Sequence, residues 1–223
     1  MVTSMLTRGD APDTVPEKLD HILLGCRDLD SGIAFVEKHL GVKAMFGGVH
    51  PGRGTQNALL SLGQRHYLEI IAPDPAQPEA KSVRRSQLEK LSEPRLVEWA
   101  AHPGDLNSFA KRLRQAGLAF EGPTPGSRKR SDGRLLQWQT LTLNDDASGL
   151  LPFFIEWNAD SPHPSADAPA GCHLVRFELA TRAPKELTET LRLLSLDVSV
   201  AKAKKSQLRA WFAGPKGNLE LTS

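Results

Sequence analysis

The sequence has few cysteines, few aromatic residues and no long apolar run. Its two cysteines, Cys26 and Cys172, lie far apart and outside any Cys-x-x-Cys spacing, so we expect both to be reduced and buried, without a catalytic role. No apolar run approaches the roughly 20 residues that a membrane-spanning helix needs. The first 17 residues include Asp10 and Asp13 and three prolines or glycines, whereas an export signal needs an uninterrupted apolar stretch. The sequence therefore predicts a cytoplasmic protein that does not enter a membrane and begins with a flexible tail, residues 1–18.

Neither sign of charge dominates, since the 223 residues include 28 basic and 26 acidic ones. This near balance argues against nucleic acid as a partner. The chain also lacks GxGxxG, GxxxxGK[ST], GxSxG and HExxH motifs, which removes the usual grounds for a nucleotide enzyme, a serine hydrolase or a zinc peptidase. A chain of this length buries roughly 70% of its unfolded surface and needs no metal or disulfide to fold.

What the sequence does have is a repeated order of elements. The first unit reads as a strand (LDHILLG, from Leu19), an amphipathic helix ended by Gly41, and three further strands. A connector rich in proline and charge, with a short predicted helix, leads to a second βαβββ unit, and a proline-rich linker leads to a third, shorter βαβββ-like unit. The predicted boundaries are residues 19–72, 95–157 and 172–223 for the units and 73–94 for the connector. Helices that alternate with strand triplets favour an α+β fold.

Side chains alternate across a strand, so sequence parity separates the two faces of the first unit. One face is apolar, and the helix is expected to pack there. The other collects His21, Asn57, Ser61, Tyr67 and Glu69. An imidazole and a carboxylate on neighbouring strands are what a divalent metal site needs, although a half-buried histidine beside a solvated carboxylate would give the same pattern.

The second unit favours the metal interpretation, because Glu156 in PFFIEW takes the position that Glu69 has in HYLEII. Repeated units that face a shared cleft would supply such a pair of carboxylates.

At these residues the sequence resembles the glyoxalase-like branch of the vicinal oxygen chelate superfamily, which also includes bleomycin resistance proteins and dioxygenases. The resemblance runs over residues 19–157 and is carried by LDHILLGCRDLD, GGVHPGRGTQNALLSLG, YLEIIAPD and FFIEW. It implies a cupped mixed sheet of paired βαβββ modules with helices on the outer face. In that superfamily the opening strand of each module typically gives a histidine and the closing strand a glutamate, and four such residues hold one metal. The resemblance thus implies His21, Glu69 and Glu156 as metal ligands.

The fourth position departs from this pattern. The opening strand of the second module, RLVEWAA, has Glu98 where His21 stands in the first. His102 would substitute for it only if the strand runs on. The cofactor implied is a divalent ion among Mn, Fe, Mg, Ni and Zn, and one histidine with three carboxylates favours manganese, magnesium or iron.

The segment HPGRGTQN, residues 50–57, has no regular period, and its glycines and proline indicate a shaped loop. Its backbone N–H groups together with Arg53 would hold an anionic oxygen of a substrate. Thr55 and Asn57 would add uncharged donors, while His50 is either a second base or a turn residue. The alternative is an ordinary hairpin connection with an exposed arginine.

Two functions are compatible with these residues. The first is a metal-dependent enzyme on a small oxygenated substrate, with Glu98 as general base and Tyr67 supplying a hydroxyl. The resemblance implies lyase, isomerase, epimerase or extradiol dioxygenase chemistry, and a homodimer by analogy with superfamily members. The second is a small-molecule binding or sequestration protein without turnover. The stacking surface for it would come from four aromatic residues, Trp99, Trp138, Phe154 and Trp157.

Overall fold

A computed structural model describes residues 15–63, 65–129, 133–144 and 149–223. The first module consists of β1 (Leu19–Gly25), α1 (Leu29–Leu40), β2 (Met45–His50), β3 (Thr55–Ser61) and β4 (Tyr67–Pro73). The connector holds α2 (Val83–Glu89). The second module consists of β5 (Arg95–Ala101), α3 (Leu106–Gln115), β6 (Phe120–Lys129), β7 (Leu135–Leu143) and β8 (Phe153–Trp157). The remaining elements are α4 (Pro164–Asp167), β9 (His173–Thr181), α5 (Pro184–Leu193), β10 (Ser199–Lys202), β11 (Gln207–Gly214) and β12 (Gly217–Thr222).

The first two modules form one mixed sheet of eight strands in the order β2-β3-β4-β1-β5-β8-β7-β6. In each module the opening strand pairs in parallel with the closing strand, β1 with β4 and β5 with β8. The antiparallel pair β1–β5 joins the modules, so two modules of the same chain complete the sheet. The prediction of an α+β fold of repeated βαβββ modules in a cupped mixed sheet is confirmed.

The sheet curls until its two edge strands approach each other. A Cβ added to Gly48 on β2 would lie 2.9 Å from Cδ of Arg128 on β6. This close approach closes one side of the concave face. It also brings the Arg128 side chain of β6 within reach of the first module.

Helices α1 and α3 cover the convex face because their apolar side chains recur on one side. The Asp28 side chain accepts the N–H of Ser31 at the start of α1, and Gly41 ends the helix at a φ of +86°, which glycine adopts without strain. The buried residues of α1 are Leu29, Gly32, Ile33, Val36 and Leu40. Those of α3 are Leu106, Phe109, Ala110 and Leu113.

The third unit repeats the order of elements but not the strand pairing. Its sheet has the order β10-β9-β11-β12, so the opening strand β9 lies between β10 and β11. In the first module the opening strand lies beside the closing one. The third unit shares the main core, as the contact of Trp99 with Phe177 shows, with ring centroids 5.1 Å apart.

The end of the predicted tail is attached to the rest of the chain. Val15 packs against the core, the Lys18 carbonyl accepts the N–H of His102, and Lys18 Nζ donates to the Ser195 carbonyl. Residues 1–14 lie outside the described residues. Both cysteines are free and buried. Within the described ranges, no helix has the length and apolar character needed to cross a membrane.

Candidate functional site

The concave face of the large sheet holds a cleft of about 830 Å³, within the size range of small-molecule sites. Both modules and α2 contribute to its wall. Eight of the nine predicted site residues line it: His21, His50, Arg53, Thr55, Asn57, Tyr67, Glu69 and Glu98. These side chains come from five strands and one loop.

Three charged side chains form a hydrogen-bonded array in the wall of this cleft. His21 Nδ1 donates to Asp20 Oδ1 at 2.7 Å, and His21 Nε2 lies 3.4 Å from Glu69 Oε2. Burial disfavours the charged ring, yet the hydrogen bonds to Asp20 and Glu69 outweigh it and raise the pKa of His21 to about 9. Burial likewise opposes the charge of Glu69, but His21 dominates and lowers the pKa of Glu69 to about 2. His21 is therefore an imidazolium at pH 7, between two carboxylates.

Asp20 belongs to this array although sequence parity places it on the opposite face from His21. The pairing of β1 with β5 shifts register between Leu19 and His21, and this bulge brings the two neighbouring side chains to the same side. Asp20 Oδ2 also accepts hydrogen bonds from His163 Nε2 and Trp157 Nε1, both at 3.2 Å. These partners outweigh the effect of burial and hold the pKa of Asp20 well below its ordinary value.

The His163 contact comes from the linker that follows β8. The linker is fastened under β3, where Ser61 Oγ donates to the Ser165 carbonyl at 2.8 Å and Ser61 N donates to the Pro169 carbonyl at 2.9 Å. The linker therefore forms part of the floor beneath the cleft.

Asn57 and Arg128 fix the other oxygen of Glu69. Asn57 Nδ2 donates to Glu69 Oε1 at 2.7 Å, and Arg128 Nη1 donates to Asn57 Oδ1 at 3.2 Å. Arg128 reaches Asn57 across the closed side of the sheet, from β6 in the second module. Sequence reasoning missed Arg128, because only the curl of the sheet brings it near the first module.

His50 faces the same carboxylate from the end of β2. Its Nε2 lies 3.9 Å from Glu69 Oε1 and 3.4 Å from Asn57 Nδ2. Since the Asn57 amide nitrogen can only donate, His50 Nε2 is the acceptor and Nδ1 carries the hydrogen that points to Thr55 Oγ1 at 2.9 Å. Burial lowers the pKa of His50, so this imidazole is neutral at pH 7.

Aromatic rings line the rest of the cleft. Tyr67 stacks on His21 with ring centroids 4.4 Å apart, and Phe153 meets the same imidazole edge-on at 5.5 Å. Burial raises the pKa of Tyr67 well above its ordinary value, so its hydroxyl stays protonated. Trp138 and Trp157 lie 5.3 Å apart and both line the cleft.

The other two predicted stacking residues, Trp99 and Phe154, lie in the core instead. Trp99 packs against Phe177, and Phe154 packs against Phe109 with centroids 4.3 Å apart.

Glu98 lies in the cleft but is held by Arg84 of α2 in an ion pair. Burial raises the pKa of Glu98, and Arg84 works against this shift. The sequence indicated a short helix in the connector but gave no reason to place it over the cleft. The contribution of Arg84 was therefore missed.

The prediction that Glu156 shares the site is wrong. Phe153, Ile155 and Trp157 line the cleft, so Glu156 points to the helical side of β8, where its carboxylate accepts the N–H of Leu106 at 2.9 Å. The motif comparison was out of register by an odd number of residues, which moves a strand side chain to the other face. His102 does not join the site either, since its ring bonds to the Glu17 carbonyl outside the cleft.

We expect Glu156→Ala to lower the free energy of unfolding by about 1 kcal/mol, because an acceptor at the start of α3 is lost. Chemical denaturation measures this change. Ligand binding in the cleft is expected to stay as in the wild type, and a loss of binding of tenfold or more would contradict the placement of Glu156.

The donor set does not fit the divalent ion that the sequence predicted. His21 and Glu69 offer two adjoining donors, but Glu98 is neutralised by Arg84 and Glu156 is turned away. In the part of the chain that the structure describes, no three His, Cys, Asp or Glu side chains are grouped as a metal site requires. The residues present therefore do not provide a site for this ion.

A family model described as a glyoxalase-like domain matches residues 19–194. The chain belongs to this glyoxalase-like family, which is part of the vicinal oxygen chelate superfamily. A comparison with curated proteins gave no match.

Several solved structures are similar to this chain. A hypothetical protein from Staphylococcus aureus is 17% identical with a TM-score of 0.68, and the match covers 85% of this chain and 87% of that one. Methylmalonyl-CoA epimerase from Mycobacterium tuberculosis is 25% identical with a TM-score of 0.48, covering 67% of this chain and 93% of that one. A hypothetical protein from Bacillus halodurans is 20% identical with a TM-score of 0.49, covering 65% and 97%. The likeness to the Staphylococcus aureus protein describes the fold alone.

Proposed function

We propose that this chain is an enzyme that moves a proton on a small oxygenated substrate bound in the cleft. The observation that supports this proposal is the ionised Asp20–His21–Glu69 array in the cleft wall. Each buried ion costs several kcal/mol of desolvation, and apolar side chains would stabilise a strand at lower cost. Shifted pKa values concentrated in one cleft are typical of active sites.

His50 is the general base in this proposal. Its Nε2 lone pair makes only a long contact with Asn57 Nδ2, at 3.4 Å, which a substrate proton would replace. The lowered pKa keeps the ring unprotonated at pH 7, as a base must be. Proton uptake turns His50 into an imidazolium beside Glu69, whose negative charge 3.9 Å away stabilises it. A positioned base of this kind contributes about 10²- to 10⁴-fold to a rate.

Glu69 is better suited to hold charge than to accept a proton, because His21 and Asn57 keep its pKa at about 2. Glu98, predicted as general base from the sequence, is engaged by Arg84. The proposal therefore assigns the proton transfer to His50 and an electrostatic role to Glu69. Arg53 and Thr55, which also line the cleft, contact the oxygens of the substrate in this proposal.

The test is proton exchange at a carbon next to a carbonyl. Pyruvate, 2-oxobutyrate, phenylpyruvate and 2-oxoglutarate are incubated with the protein in D2O, and loss of the C3 proton signal is followed by NMR. We expect the wild type to accelerate exchange of at least one acid and His50→Gln to lose about 100-fold or more. His39→Gln is the matched control, because that ring bonds to the Phe35 carbonyl on α1 outside the cleft. Absence of exchange with every acid would contradict the proposal.

The aromatic wall favours a second candidate, a binding or sequestration protein. Trp138 and Trp157 offer adjacent rings to a flat ligand. Quenching of tryptophan fluorescence by an aryl acid, reduced in Trp138→Leu and unaccompanied by proton exchange, would favour this candidate.

The formation of a homodimer also stays a prediction, and light scattering of the purified protein tests it.

A further inference from the structure

The pairing of the two opening strands relates the modules by an approximate two-fold axis. His21 lies opposite Ala100, and Leu23 lies opposite Glu98. A rotation that exchanges β1 with β5 therefore places Glu98 on the position of His21 and Ala100 on the position of Leu23.

The same rotation identifies the residue that corresponds to Glu69. Glu69 on β4 lies opposite Leu23, and Phe153 on β8 lies opposite Ala100. Phe153 is thus the counterpart of Glu69. The four symmetry-related positions around the cleft are His21 and Glu69 in the first module and Glu98 and Phe153 in the second.

The second module therefore offers one potential metal ligand, Glu98, and this carboxylate is ion-paired with Arg84. The two side chains are each a little over one quarter exposed, 28% for Arg84 and 29% for Glu98. Helix α2, which carries Arg84, is anchored by the next residue: Arg85 Nη1 donates to the carbonyls of Gly54, Asp74 and Gln77. The guanidinium of Arg84 is therefore delivered to the cleft by a fixed helix.

We propose that the Arg84 guanidinium takes the place of a metal ion in this cleft, where it neutralises Glu98. Phe153 occupies the position where the fourth metal ligand would lie and offers no donor atom. A guanidinium carries five N–H groups and stays charged at any pH a protein survives. The bond to Glu98 uses one of these groups, and the others are available to carbonyl or carboxylate oxygens of a ligand. The binding of ligand oxygens by Arg84 rests on the proposed function, whereas the displacement of the metal by Arg84 does not.

Charge and geometry both act against a divalent ion here. An ion beside Glu98 would lie within a few ångströms of the Arg84 guanidinium and be repelled by it. Phe153 presents an apolar ring edge at the position where a carboxylate would complete the donor set. Removing both obstacles is expected to create a site from His21, Glu69, Glu98 and a new carboxylate.

The experiment measures Mn²⁺ binding by electron paramagnetic resonance and by the shift of the melting temperature. We expect no stoichiometric binding by the wild type up to about 1 mM Mn²⁺, and one ion per chain with a Kd near or below about 100 µM in the double variant Arg84→Ala/Phe153→Glu. Adding His21→Ala to the double variant is expected to weaken binding at least about tenfold. Arg95→Ala is the matched control, because that arginine pairs with the exposed Glu93 at the surface, and it is expected to bind no ion.

Two results would overturn the proposal. One is stoichiometric Mn²⁺ binding by the wild type that His21→Ala abolishes. The other is a double variant that keeps the wild-type circular dichroism and still binds no ion. The wild-type measurement does not require any variant to fold, and neither readout depends on proton exchange, so a failure here is separate from a failure of the proposed function.

Discussion

Replacing Asp20 by alanine is expected to lower the free energy of unfolding by about 3–5 kcal/mol. Asp20 is fully buried and accepts hydrogen bonds from His21, His163 and Trp157. Its removal leaves a buried imidazolium with one carboxylate instead of two and leaves an indole N–H without its acceptor. Unpaired buried donors and charges are among the few causes of the largest losses that single substitutions produce.

Urea denaturation at pH 7 measures this loss, with circular dichroism as the signal. Asp160→Ala is the matched control, since Asp160 is exposed and its replacement is expected to change stability by less than about 0.5 kcal/mol. Asp20→Asn keeps the shape of the side chain and removes its charge. Its loss of unfolding free energy is therefore expected to fall between those of Asp20→Ala and Asp160→Ala. A loss below about 1 kcal/mol for Asp20→Ala would contradict the description of this array.

Stability is expected to fall on the alkaline side as His21 loses its proton. The folded-state pKa of His21 is raised from 6.5 to about 9, so its stabilising contribution is complete below about pH 6.5 and is lost as the pH rises through about 9. The shift corresponds to about 3 kcal/mol, and the ring is too buried for solvent to screen it much. Glu69 has the opposite sign: its pKa is lowered from 4.5 to about 2, so its contribution is lost as the pH falls through that range.

The difference in unfolding free energy between the wild type and His21→Gln isolates this effect from other titrating groups. We expect the difference to shrink by about 3 kcal/mol between pH 6 and pH 10 at constant ionic strength. A direct check is the ¹⁵N chemical shift of the His21 ring, which reports the imidazolium at pH 7. An unchanged difference across this pH range, with a neutral ring at pH 7, would contradict the assignment.

The sequence predicted the fold and most of the cleft because both depend on local patterns. Alternation within HYLEII placed Glu69 opposite the core face, and the same rule placed His21, Asn57 and Tyr67 beside it. Such alternation holds wherever a strand is regular, which explains why the first module was predicted more accurately than the second.

The rest of the site depends on pairing between strands, which no local pattern encodes. Asp20 joins the cleft through a bulge that only the β1–β5 register reveals. Glu156 was assigned to the wrong face because the motif comparison was off by three residues, an odd number. The register of β5 with β8 identifies Phe153 as the counterpart of Glu69. Arg84 and Arg128 come from a connector and a distant strand, so their positions follow from tertiary structure alone.

The linker beneath the cleft restricts how the third unit can be altered. Because His163 bonds to Asp20 and Ser61 bonds to two linker carbonyls, deletion or exchange of the segment after β8 would also change the electrostatics of the buried array. The family match extends past this linker to residue 194. The linker and the cleft are thus expected to be inherited together, since exchange of the linker alone would separate Asp20 from His163.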